Sequence, residues 1–143
     1  MFIGTYYHSF DSRNRVSVPK KFREKLGKKA VITRGLDGCL FLYSQKTWEG
    51  MQTILTQTPL TRQDARSFAR LMLSGAVETE TDKVGRVLVP GYLKDYAKLK
   101  DETAILGVGE RIEIWAKDVW EIKQKQLEQN SDAIAERLSE LGI

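Results

Sequence analysis

The chain has 143 residues, a formal net charge of +4, 41% hydrophobic and 29% charged residues, the make-up of a soluble globular protein with one ordinary domain or two half-size ones. One cysteine, Cys39, and one histidine, His8, exclude an intrachain disulfide and a cysteine–histidine metal site. No basic and apolar leader opens the chain and no apolar run approaches the length of a membrane span, so a cytoplasmic location is expected.

Phe2 to Phe10 is aromatic and β-branched and predicts a strand, and Asp11 to Asn14 reads as a turn. The short strand that follows alternates, with Val16 and Val18 on one face and Arg15 on the other. Pro19 closes it and opens a short helix, to which Phe22 and Leu26 give an apolar stripe and Gly27 a stop. Ala30 to Thr33 and Cys39 to Tyr43 predict two more strands, and Cys39, beside Leu40-Phe-Leu42, is expected to be a small buried hydrophobe. Trp48, Met51, Ile54 and Leu55 mark a helix that Pro59 breaks. Thr61-Arg-Gln-Asp64 is expected to cap a second helix, with Ala65, Phe68, Ala69 and Met72 on one side and Gly75 at its end.

The plan then starts again. Strand Val77 to Thr81, turn Asp82 to Gly85 and strand Arg86 to Val89 lead to a helix from Pro90 with Leu93, Tyr96 and Ala97. Strands Thr103 to Leu106 and Arg111 to Trp115 follow, and after Trp120 a helix is expected almost to the end. Leu127, Ile134, Leu138 and Leu141 give that helix a narrow apolar stripe, which needs its own core or a neighbouring protomer to cover it. The echo is also literal: Asp11-Ser-Arg-Asn-Arg-Val-Ser-Val-Pro19 returns 71 positions later as Asp82-Lys-Val-Gly-Arg-Val-Leu-Val-Pro90. The expected organisation is α+β, with copies at residues 5–47 and 76–119, a helical connector at 48–75 and a C-terminal helix at 120–143. A copy of about 70 residues has a marginal core, so the halves are expected to share one or to pack on neighbouring subunits.

Charge is unevenly spread. Between Arg13 and Lys29 stand eight cations and one anion, Glu24, whereas the tail from Glu128 is acidic, which points the head toward a polyanion. An enzyme is not expected. His8 and Cys39 sit in strand-like runs, Gly107-Val-Gly109 lacks the third glycine of a dinucleotide loop, and no carboxylate pair is marked out. The repeated Asp-x-x-x-Arg turn has a structural reading, in which Asp11 and Asp82 bond to backbone amides and Asn14 and Gly85 supply a left-handed residue. It also has a functional one. An arginine held out by a rigid strand presents a planar five-donor fork that suits phosphate or a guanine edge.

Two such turns, each followed by an alternating valine strand and a proline, resemble the MraZ family of bacterial transcriptional regulators. Thr33-Arg-Gly-Leu-Asp37, Pro59-Leu-Thr-Arg-Gln-Asp-Ala65 and Ser74-Gly-Ala76 extend the likeness from Met1 through Glu121. The resemblance implies two tandem AbrB-like modules packed as an intramolecular pseudo-dimer, with no cofactor. It also implies a homo-oligomeric ring binding double-stranded DNA at promoter direct repeats of its own division and cell-wall operon. Arg15 and Arg86 hold the family's arginine positions, and Arg13, Lys20, Lys21, Arg23 and Lys83 are expected to join them on DNA. The first copy departs from the pattern with Asn14 where glycine is usual, and the second replaces the basic strip after proline with Gly91-Tyr-Leu93, so unequal contributions are expected. An AbrB-type antitoxin that binds a protein partner, or a ring scaffold without DNA, are the competing readings.

Overall fold

The computed structural model describes residues 1–143. The first copy contributes β1 (Phe2–Ser9), β2 (Arg15–Ser17), α1 (Lys20–Leu26), β3 (Lys29–Arg34) and β4 (Leu40–Ser44), and the connector forms α2 (Gln45–Thr56) and α3 (Gln63–Gly75). The second copy contributes β5 (Val77–Glu80), β6 (Arg86–Leu88), α4 (Gly91–Tyr96), β7 (Glu102–Gly109) and β8 (Arg111–Ala116). The chain ends in α5 (Lys117–Gln129), α6 (Ser131–Leu138) and a short 3-10 turn.

Six strands make one antiparallel sheet in the order β1-β7-β8-β4-β3-β5. Hairpins β3–β4 and β7–β8 meet at its centre, with Leu40 opposite Ile114 and Leu42 opposite Ile112. Outside them the copies exchange strands. β1 pairs with β7 of the second copy along its whole length, from Phe2–Gly109 to Ser9–Glu102, and β5 pairs with β3 of the first. The remaining two strands, β2 and β6, pair with each other as a separate ribbon centred on Val16–Val87. The chain is therefore α+β, two tandem AbrB-like modules wound into an intramolecular pseudo-dimer.

Period-two alternation explains the layers. Ile32, Leu42, Ile112 and Ile114 face a core shared with Val16, Val18, Val87 and Val89 of the ribbon segments and with Phe22, Leu26 and Leu93 of α1 and α4. Their neighbours Val31, Phe41, Tyr43 and Trp115 face the opposite side, where α2, α3 and α5 bring Trp48, Met72 and Trp120. The ribbon with its two turns thus rides on one face of the sheet, and the connector covers the other.

Two expected features differ. The Thr61 cap does not form: α3 starts at Gln63 with Arg62 in the cap position and no capping side chain. Arg62 N donates to Pro59 O at 3.1 Å, so the chain turns from the proline directly into the helix. The tail is not one helix either, because Asn130 leaves helical geometry between α5 and α6. Its Nδ2 donates to Gln126 O at 2.8 Å and Ser131 Oγ to Glu128 O at 3.2 Å, occupying the last carbonyls of α5. No helix is long and apolar enough to cross a membrane.

Candidate nucleic-acid interface

Each Asp-x-x-x-Arg turn is closed by its aspartate. Asp11 Oδ1 accepts from the backbone amides of Arg13 and Arg15 at 2.8 and 2.9 Å, and Asp82 Oδ1 accepts from those of Val84 and Arg86 at 3.0 and 2.9 Å. Asn14 and Gly85 take the left-handed corner, at φ 60 and 86. The backbone amides of Arg15 and Arg86, foremost, hold both carboxyls below the usual aspartate range, so both are charged at neutral pH.

The ribbon sets the turns side by side and their charges interlock. Arg15 Nε donates to Asp11 Oδ2 at 2.7 Å and Arg86 Nε to Asp82 Oδ2 at 2.9 Å. Across the pseudo-twofold, Arg86 Nη1 reaches Asp11 Oδ2 at 3.3 Å and Arg15 Nη1 lies 3.9 Å from Asp82 Oδ2. The four side chains form an alternating ring of charge in which each guanidinium is fixed along its Nε edge. They are not sealed: 28% of Arg15 and 31% of Arg86 side-chain surface stays exposed, and neither Nη2 takes part in these bonds.

A second clamp crosses between copies. Val18 N donates to Gly85 O at 2.8 Å and Val89 N to Asn14 O at 2.9 Å, so each strand end is tied to the other copy's turn. Arg23 Nε donates to Val18 O at 2.8 Å while its guanidinium lies over Gly85, where a Cβ would come within 2.2 Å of it. The equivalent residue in the second copy, Lys94, donates from Nζ to Asn14 Oδ1 at 2.9 Å and sits 4.2 Å from the Phe10 ring. The departure at Asn14 is thus matched by its partner: glycine makes room for arginine, and asparagine offers lysine an acceptor. Lys94 was not among the expected site residues, although its position 71 after Arg23 marks it.

The remaining expected cations are arranged around this centre. Arg13 and Lys83 are exposed in the two turns, and Lys20 and Lys21 are exposed at the start of α1. A cleft of about 380 Å³ between α1 and the second turn is lined by Arg23, Lys28 and Lys83, with Asp82 its single acid. The second copy has no such strip. Tyr92 stands where Lys21 does in the first, and its hydroxyl donates to Gly75 O at 2.8 Å, tying α4 to the end of α3. Away from the turns, burial and then Arg23 lower the pKa of His8, and burial pushes the Cys39 thiol far up.

A model of the family described as "MraZ protein, putative antitoxin-like" matches residues 1–71 and again residues 72–141, once per copy. The chain belongs to the MraZ family. The transcriptional regulator MraZ of Caldanaerobacter subterraneus subsp. tengcongensis is 47% identical over 143 residues, covering 100% of both chains. That of Thermoanaerobacter sp. (strain X514) is 46% identical over the same 143 residues, again covering 100% of both. In Pelotomaculum thermopropionicum the transcriptional regulator MraZ is 48% identical over 143 residues, covering 100% of this chain and 99% of the relative. The MraZ likeness first carried by two turns therefore runs through the whole chain, in a family whose curated members are named for transcriptional regulation.

Proposed function

We propose that this MraZ-family chain regulates transcription by binding DNA sequence-specifically, at direct repeats in the promoter of its own division and cell-wall operon. In this reading it acts at the nucleoid as a homo-oligomeric ring. The observation that carries the reading is the side-by-side pair of turns with Arg15 and Arg86 fixed by Asp11 and Asp82 and their outer N–H groups unengaged. A guanidinium clamped along one edge keeps its other donors aimed, which suits a guanine edge or a phosphate.

The ring of four charges sums to zero, so it supplies aim and little net attraction. Attraction falls to the cations around it: Arg13, Lys20, Lys21 and Lys83 grip phosphates, while Arg15 and Arg86 read bases. Arg23 positions the second turn and lines the neighbouring basic cleft. The first copy carries more of the grip, since Gly91 and Tyr92 replace its two lysines in the second. Several linked turns on spaced repeats raise the effective concentration of each successive contact.

A gel-shift titration against the DNA upstream of the protein's own gene, with scrambled DNA as competitor, tests the proposal. Retention that the scrambled duplex does not abolish is expected. Equal affinity for both duplexes would remove the sequence-specific reading.

A further inference from the structure

The two copies share a plan but not a charge. A groove between the end of α1, the start of β3 and the start of α2 encloses about 1080 Å³, and Lys25, Lys28, Lys29 and Lys46 line it with Glu110 as the single acid. Its counterpart in the second copy can be placed residue by residue. Lys29 lies opposite Glu80 in the β3–β5 pair, and Glu102 lies opposite Ser9 in the β7–β1 pair. Ser9 and Glu80 are 71 positions apart, so Glu102 holds the place of Lys29. Lys46 and Asp118 each stand two residues before the tryptophan that their helix buries, Trp48 and Trp120. The repeat also puts Tyr96 in the place of Lys25 and Leu99 in that of Lys28. None of the four lysines returns, and the equivalent cleft is lined by Asp101, Glu102, Asp118 and Glu121 against Lys100 and Lys117.

The basic groove is continuous with the two turns. Gly27 and Lys28 line both it and the cleft beside the second turn, where Arg23 and Lys83 stand. Thr81 N donates to Lys28 O at 2.8 Å, which ties the backbone of Lys28 to the foot of that turn. On α1, Lys21 and Lys25 are four residues apart and share a face, joining the groove to the start of the helix. Lys28, Lys29 and Lys46 are exposed and form no ion pair, and Lys25 has only a loose one with Glu110 at 3.9 Å. A lysine is a compact point charge that suits a phosphate, and a phosphate contact carries no base information.

We infer that this band holds the phosphate backbone of double-stranded DNA on one flank of the site that the turns read, and that the other flank is left free. The inference rests on the DNA-binding reading above and adds a direction to it. A pseudo-twofold pair of turns would by itself grip a duplex alike on both sides. Cations on one flank and acids on the other make the complex polar. A polar complex suits sites repeated in one orientation, because every site then places its gripped flank on the same side.

Gel shifts over a salt series test it with three duplexes. The first is the shortest stretch of the DNA upstream of the protein's own gene that still outcompetes scrambled DNA. The other two extend it on one side or the other by about one helical turn of scrambled sequence. Wild-type protein is expected to gain affinity from one extension only, with the slope of log affinity against log salt steeper there by about three. Lys29→Gln with Lys46→Gln should remove about two of that slope while leaving the shortest duplex bound as before. Glu102→Lys with Asp118→Lys, which copies the first groove onto the second, should make the other extension productive too. Circular dichroism confirms that both variants fold. Equal gains from both extensions in the wild type, or no gain from either, overturns the one-sided band while leaving recognition by the turns in place. So does a glutamine variant that gains as the wild type does, or an acid-to-lysine variant with no new gain. A protein that never tells upstream from scrambled DNA overturns both.

Discussion

Arg15 is bonded through its side chain to Asp11, yet the turn does not depend on that bond, because Asp11 Oδ1 is held by two backbone amides. Arg15→Ala is therefore expected to fold normally and to lose about 1–3 kcal/mol of discrimination between operator and scrambled DNA. Lys20, exposed at the start of α1, has a different task. Lys20→Ala should weaken all DNA alike and lower the slope of log affinity against log salt by about one. Gel shifts over a salt series separate the two, and an Arg15→Ala protein with undiminished discrimination would refute its reading role. Gly85 is the most constrained residue nearby, with φ 86 and Arg23 filling the space of a Cβ. Gly85→Ala should cost about 1–3 kcal/mol in urea denaturation, by adding left-handed strain to the displacement of Arg23 from Val18 O. Adding Arg23→Ala should recover part of that loss; no recovery would mean that backbone strain alone sets the cost.

Strand β1 and the two turns make stability pH-dependent in two separable steps. His8 has a lowered folded pKa, so the unfolded chain binds the proton first, and stability falls as pH drops from about 6.5. Asp11 and Asp82 are lowered too; their contribution is complete above the ordinary aspartate range near 3.8 and drains as pH falls through the lower folded values. Melting temperature against pH should show both limbs, with His8→Gln removing the first and Asp11→Asn with Asp82→Asn shrinking the second. Persistence of the lower limb in the double variant would detach it from the turns. At this scale most elements were legible: Val16 and Val18 alternate with polar residues, and Asn14 and Gly85 announce their corners. The ends of β7 were not, because Glu102 and Gly109 find their partners, Ser9 and Phe2, in β1, far away in sequence. The charge ring was hidden for the same reason. Asp11 and Arg86 are 75 residues apart in sequence, and only the β2–β6 pairing makes them neighbours.

Strand exchange is the property of the whole molecule that the repeat foretold in kind but not in form. A duplicated sequence is equally consistent with β1 pairing inside its own copy, and alternation along Phe2–Ser9 would look the same either way. Because β1 instead lies on β7 and β5 on β3, neither copy holds a complete sheet, and half of the ribbon belongs to each. Cutting the chain after residue 71, where the first family match ends, should therefore leave two fragments that cannot fold as monomers. Trp48 lies on the first fragment and Trp115 and Trp120 on the second, yet all three are buried in one core, so tryptophan emission reports its assembly. Each fragment alone should emit as exposed tryptophan or associate with itself, since any sheet of this design needs two copies. Equimolar mixing should shift emission to the blue and restore a single cooperative unfolding transition. A lone fragment that unfolds cooperatively while sedimenting as a monomer would show that a copy can close its own sheet, and the exchanged pairing would then be a consequence of linkage and not a requirement of the module.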